Sequence, residues 1–375
     1  MFTVDSVLAS ARAKEALEDT GDLPFEEPLG VLLDSYAAAD LSEMGSRILR
    51  GNVVQSLRMR LRITELRRRH PEIADEVIAA PVVVVGMMRS GTTLLQRLLA
   101  ADDRFTCALG WEVQEPAASL TGPDDRVAKA LERQEQMRTW TPDLFAIHPM
   151  YAEEAEEEIV FLADAFLSHV PEAYAHVPAY RSWIDDQSFA PAYAWLHRVL
   201  QVLQWDKRRR GGTPGRWVLK TPAHLGYLPD LLATFPDLHL VHMHRDPRDT
   251  IASGASLNAT LHAMHMTAFD PHLLGAEWLA RMGWTNDRAL VARETLSATD
   301  IEFGDAVADP IGQVARVYDA LDVDLSAEAE SSMRHWLEVR PRETSRPAYG
   351  LKDYGLTEAQ VDERFAAYNE RFRSS

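Results

Sequence analysis

The residues best suited to chemistry lie at three strand-to-turn junctions. The first is Pro81-Val-Val-Val-Val-Gly86-Met-Met-Arg89-Ser90-Gly91-Thr92-Thr93, a β-branched run, a glycine-bearing turn and a helix start. Backbone N–H groups at such a turn, reinforced by the helix dipole, form an anion site. Gly86 and Gly91 let the backbone approach an oxyanion, Arg89 adds charge, and Thr92 and Thr93 add hydroxyls. A triphosphate-binding loop would place lysine after its second glycine, with a hydroxyl for Mg²⁺ behind it. Here Thr92 follows Gly91 and the cation has moved upstream to Arg89, which disfavours ATP or GTP hydrolysis and favours another phosphate ligand.

The second junction is Leu238-His-Leu-Val-His-Met-His-Arg245-Asp-Pro-Arg-Asp-Thr-Ile-Ala-Ser253. An arginine at the carboxyl end of a buried strand stands where open α/β sheets bind ligands, and its planar fork suits phosphate. Ser253, on the following helix, can bond the same oxygens; a helix-start pair between Arg245 and Asp249 is the structural alternative. The third junction is Trp217-Val-Leu-Lys220-Thr-Pro222-Ala-His224.

With these motifs, the chain resembles the sulfotransferases that use 3′-phosphoadenosine 5′-phosphosulfate. Their 5′-phosphosulfate loop reads K/R-S-G-T-T after a buried strand, and Arg89–Thr93 matches the arginine form. Their 3′-phosphate motif carries an arginine with a serine eight positions on, as do Arg245 and Ser253. The resemblance implies that Arg89, Ser90, Gly91, Thr92 and Thr93 hold the 5′-phosphosulfate. Arg245 and Ser253 would hold the 3′-phosphate, and Lys220 would stabilise the bridging oxygen. Cytosolic-type members follow the lysine with a catalytic histidine, but Pro222 stands there in this chain. The Lys-x-Pro form is similar to tyrosylprotein-type enzymes, whose base is a glutamate shortly after the first helix. Glu112 fills that place at a spacing two residues longer, with His224 and Glu115 as alternatives. Arg346 and Lys352 lie in a tail segment that resembles one near the nucleotide. The function implied is sulfuryl transfer to a hydroxyl or amine, with no metal. A P-loop kinase or NTPase and a nucleotide-binding but inactive family member are the competing readings.

The elements that must position these groups follow from hydrophobic patterning. Val82–Val85, Trp217–Leu219 and Leu238–Met243 read as buried parallel strands, with Ile301–Phe303 as a weaker fourth. Strands separated by helical stretches imply an α/β fold, a parallel sheet of about five strands flanked by helices. Residues 1–79 read as an N-terminal helical extension, and 80–375 as the α/β domain. Within it, residues 116–212 form a helical insertion, the acceptor lid. Leu57, Met59, Leu61 and Ile63 alternate with arginines as a strand would, but leucine, arginine and methionine favour helix. The arginines from Arg47 to Arg69 read as a solvated helix face. Of 31 aromatic residues, 11 fall between Trp140 and Trp195, enough to line an apolar acceptor pocket or to fill a helical core. That enrichment points toward a small-molecule or lipid-like acceptor. The run Glu153–Glu158 suits a helix first turn, and Asp309-Pro310 a helix start. His239, His242, His244, His262 and His265 show no metal-ligand framework.

Composition sets the remaining bounds. The 375 residues hold 39 Lys+Arg against 57 Asp+Glu, a net charge of −18, which argues against nucleic-acid binding. A single cysteine, Cys107, excludes an intrachain disulfide and suits a reducing cytoplasm. No apolar stretch of ~18 residues suggests a transmembrane helix, and the N-terminus lacks the apolar run of a secretory signal. Oligomeric state leaves no sign in the sequence.

Overall fold

A computed structural model describes residues 2–340 and 349–373. Five parallel strands form one sheet in the order β2-β3-β1-β4-β5, with β1 at Val82–Gly86, β2 at Phe105–Thr106, β3 at Arg216–Lys220, β4 at His239–His244 and β5 at Thr299–Glu302. The four valines of β1 show why this run is a central strand. Val83 and Val85 point into the core on one sheet face, Val82 and Val84 into a separate core on the other, and all four are fully buried. Period-two side chains on a strand covered on both faces require apolar residues at every position.

On the second face pack Thr92–Ala100, through Leu95, Leu98 and Leu99, together with Pro310–Ala320 and Ala327–Val339. The first face carries Ala190–Arg209, Pro247–His265, Pro271–Ala292 and the N-terminal helices, all within one core. Asp309 caps Pro310–Ala320 by accepting from the Gly312 N–H at 3.0 Å, with Pro310 in the first turn.

The arginine-rich N-terminal segment is a 27-residue helix, Glu43–Arg69, capped by Ser42, whose hydroxyl accepts from the Gly45 N–H. Its strand-like alternation arises because the helix is buried on more than one side. Leu57 and Leu61 face the core, while Met59 lines a cavity. The expectation of a solvated arginine face holds at Arg47, Arg68 and Arg69 and is corrected at Arg60 and Arg62. Arg60 is fully buried, with its guanidinium 4.3 Å and 4.6 Å from the Phe25 and Trp195 ring centroids, and donates to the Leu23 carbonyl at 2.8 Å. Arg62 is buried between Glu15 and Glu115. Their partners come from remote segments, which sequence patterning does not reveal. Gly45 sits where a Cβ would lie 1.9 Å from the His265 carbonyl oxygen, so only glycine permits this close approach. That approach ties Glu43–Arg69 to the end of Pro247–His265.

Candidate active site

Strand order sets the site. With β1 flanked by β3 and β4, the carboxyl ends of the three strands bring the turn after Gly86, Lys220 and Arg245 side by side, where ligands of open α/β sheets bind.

The turn after β1 is tightly built. Gly91 has φ +91°, and a Cβ there would lie 2.7 Å from the Phe303 ring. A Cβ on Gly86 would lie 2.5 Å from the Ser90 hydroxyl and 2.7 Å from the Met243 carbonyl oxygen. Ser90 is fully buried beneath the loop and does not line the cavity, so its hydroxyl is not presented there. Arg89 adopts φ +73°, a left-handed conformation that costs a residue with a Cβ about 1–2 kcal/mol. This conformation places its guanidinium to donate to the Ser253 hydroxyl at 3.1 Å and the Ile147 carbonyl at 3.0 Å.

Arg245 donates to the Arg89 carbonyl at 2.9 Å, joining the turn after β1 to the segment after β4, and stacks 4.2 Å from the Phe303 centroid. It also pairs with Asp249 at 3.2 Å, so the structural alternative coexists with exposure to the cavity. Ser253 accepts a second hydrogen bond, from the Tyr349 hydroxyl at 2.9 Å. Tyr349, which the sequence did not single out, thereby joins the Arg89–Ser253 contact. Arg346 lies outside the described residues, and Lys352 stands exposed on the Leu351–Tyr354 turn, away from the cavity lining.

Lys220 is fully buried. Its ammonium donates to the Glu157 carboxylate at 2.6 Å and to the Thr93 hydroxyl at 3.2 Å. A buried ammonium requires a counter-charge, and the acidic run supplies it. The expectation that Glu153–Glu158 forms the first turn of a helix is therefore corrected. The helix Ile159–Ala163 begins after the run, and Glu158 at its N-cap makes no side-chain capping bond. Glu158 instead accepts from the Lys220 N–H at 3.0 Å and contacts His224 Nε2 at 2.7 Å. Glu156 lies 3.8 Å from Arg97. Burial pushes the Glu157 carboxyl up, but Lys220, His148 and Arg89 outweigh it and hold it below the usual glutamate range.

None of the three base candidates read from sequence lines the cavity. Glu112, 1% exposed, pairs with Lys207 at 2.6 Å and accepts from the Leu109 N–H at 2.9 Å, which makes it a buried brace for the helix Gly110–Gln114. Glu115 is held between Arg62 and Arg133. His224 is fully buried between Tyr193 and Glu158. Glu157 does line the cavity, beside His148.

That cavity, about 960 Å³, opens from the turn after β1. Beyond Arg89, Thr93 and Arg245 its walls are mostly apolar, with Met59, Leu257, Leu261, Trp278 and Met282 from the helices behind, interrupted by charged side chains such as Glu172, Arg181, Glu277 and Arg281. Of the 11 aromatics between Trp140 and Trp195, only Trp140 and Tyr174 reach it. Most of the others, including Phe161, Tyr180, Tyr193 and Trp195, are core. The apolar character of the pocket thus comes mainly from elements outside that enrichment. Trp140, 74% exposed, stands at its edge.

Among the described residues one cluster has the makings of a metal site, His242, His244 and Asp300. Arg293 donates to Asp300 and contacts His242 within it at 2.9 Å, so a cation already occupies the place of positive charge.

A glycine-bearing turn after the first strand of a parallel sheet, with a cationic residue at the ends of both neighbouring strands, is a P-loop-like arrangement. The chain belongs to the sulfotransferase family, whose model matches residues 81–327. Sulfotransferase STF1 from Mycobacterium tuberculosis superposes with a TM-score of 0.84 at 33% identity, covering 97% of this chain and 98% of that one. STF9 from Mycobacterium avium superposes with a TM-score of 0.89 at 27% identity, covering 100% and 98%. An omega-hydroxy-beta-dihydromenaquinone-9 sulfotransferase, Stf3 of Mycobacterium bovis, is 27% identical over 320 residues, 80% of this chain and 77% of its own length. No helix among the described residues is long and apolar enough to cross a membrane.

Proposed function

We propose that this sulfotransferase takes its sulfuryl group from 3′-phosphoadenosine 5′-phosphosulfate and delivers it to a hydroxyl on an apolar, lipid-like acceptor. The observation that carries this reading is the meeting of two anion-binding segments and a buried lysine at one end of a large, mostly apolar cavity. The residues present fit the donor. Gly86 and Gly91 let the loop pack tightly against Met243 and Phe303, and Arg89, Gly91, Thr92 and Thr93 line the cavity there. Those residues would hold the 5′-phosphosulfate. Arg245 and Ser253, joined to the loop through Arg89, would hold the 3′-phosphate. Lys220, buried behind the cavity wall, reaches Thr93 of the loop and Glu157, and would stabilise charge that develops on a bridging oxygen.

Such transfer resembles phosphoryl transfer, in which positioning and charge stabilisation carry most of the catalysis. Arg89 and Lys220 supply that charge without a metal. The apolar walls favour an acceptor that buries a hydrocarbon body, and the quinol-derived acceptor in the name of the Mycobacterium bovis relative has that character. A reducing cytoplasm suits the lone buried Cys107.

The test is transfer from sulfur-labelled donor to a panel of long-chain alcohols and hydroxylated isoprenoid quinols, with products identified by mass spectrometry. Sulfated alcohol is the expected product. Turnover of ATP with Mg²⁺, and no sulfated product, would favour the phosphotransferase reading instead.

A further inference from the structure

We infer that Glu157 is the general base of the transfer and that its ion pair with Lys220 couples proton removal to leaving-group stabilisation. The inference rests on the donor reading above.

Three observations carry it. Glu157 is the carboxylate that contacts the buried Lys220 ammonium, at 2.6 Å, and the same ammonium reaches Thr93 on the anion-binding turn at 3.2 Å. Its side chain keeps 15% exposure, toward the cavity it lines. The carboxylates on either side in the sequence do not contact the Lys220 ammonium, and Glu156 Oε2 lies 3.8 Å from Arg97. Glu158 is fixed on the Lys220 N–H and His224, and the Glu156 carboxylate accepts from the Glu157 N–H at 2.9 Å. Glu156 lines the cavity as well, but Glu157 is the carboxylate of the run that joins the cavity to the ammonium reaching the loop.

The charges balance through the step. The acceptor O–H bond breaks and its proton passes to a Glu157 oxygen, while that hydroxyl oxygen forms a bond to sulfur. The bond from sulfur to the 5′-phosphate oxygen breaks, and its electron pair stays on the phosphate. Before transfer Lys220 neutralises the Glu157 carboxylate; afterwards Glu157 is neutral and the ammonium is released to the new negative charge. Proton and sulfuryl group move in opposite directions, so the ammonium exchanges one anionic partner for the other without leaving the site uncompensated. Positioned proton transfer of this kind contributes ~10²–10⁴ in rate. A preorganised cation at the leaving oxygen adds to it.

Two readouts on Glu157→Gln test this. The amide keeps the shape of the side chain but removes the charge that competes for Lys220 and repels phosphate. Calorimetry should therefore show adenosine 3′,5′-bisphosphate binding tightened by about tenfold. Transfer to dodecanol should fall ~10²–10⁴-fold, while transfer to p-nitrophenol, which sheds its proton unaided, should fall by less than about tenfold. Glu157→Asp, with a carboxylate on a shorter arm, should recover part of the dodecanol rate, which a packing role would not produce. Bisphosphate affinity that is unchanged or weaker, or equal losses on both acceptors, overturns the assignment. Failure of the wild-type protein itself to bind the bisphosphate overturns the donor reading, and this proposal with it.

Discussion

Replacing Glu112 with glutamine separates a brace from a base. Glu112 is 1% exposed and pairs at 2.6 Å with Lys207, whose side chain is 19% exposed. Breaking a buried ion pair by removing one partner costs about 3–5 kcal/mol. Lys207 can turn toward solvent, and the amide oxygen still accepts from the Leu109 N–H, so the expected loss is about 2–3 kcal/mol. A chain of 375 residues unfolds with an entropy near 0.8 kcal/mol per degree, which converts that loss to a fall in Tm of about 3 °C. Differential scanning calorimetry and a steady-state transfer assay on the same preparation check both halves. The expected result is the lower Tm with kcat within about threefold of wild type, since Glu112 does not line the cavity. An unchanged Tm with a loss of ~10²-fold or more in kcat would refute the reasoning and return Glu112 to the role its spacing from Arg89 suggested.

Two further outcomes follow from the same geometry. Arg245→Ala removes a guanidinium that faces the cavity and bonds the Arg89 carbonyl, so bisphosphate binding measured by calorimetry should weaken by about 1.5–3 kcal/mol. An unchanged affinity would remove Arg245 from the donor site. Asp164 is 2% exposed, and its burial outweighs Ser56 and Arg60 to push its carboxyl up to about 7. The folded state thus holds a proton that the unfolded chain releases near pH 4, and stability falls as pH rises from about 4 to 7, by up to about 4 kcal/mol. Urea unfolding at pH 5 and pH 8 should show this fall in wild type and a flatter dependence in Asp164→Asn; parallel curves would count against it.

Legibility in the sequence followed the range of the interactions involved. The runs of β1, β3 and β4 announce themselves because burial on both faces demands apolar residues at each position. By contrast β2 is two residues, Phe105 and Thr106, defined by pairing with Arg216 and Trp217 of β3, and no local pattern marks so short an edge. The proximity of Arg89, Lys220 and Arg245 was readable because each follows or ends a strand at the carboxyl edge of the sheet, and that of Ser253 because it lies two turns into the helix after Arg245. Glu157 was not, because a loop carries it and a contact 63 residues away positions it. A signal was nonetheless present: a lysine ending a buried strand requires a carboxylate, and five of the six residues from Glu153 to Glu158 are glutamates. Arg60 and Arg62 misled for the same reason, since Phe25, Trp195, Glu15 and Glu115 are distant in the chain.

The central claim is that the turn after β1 and the Arg245–Ser253 segment together bind a nucleotide phosphorylated at both its 3′ and 5′ positions. Isothermal titration of the wild-type protein with adenosine 3′,5′-bisphosphate, beside ATP with Mg²⁺, tests it most directly. The account predicts saturable binding of the bisphosphate, weakened in Arg245→Ala, with little heat from ATP. Tight ATP binding that depends on Mg²⁺, with none of the bisphosphate, would contradict it.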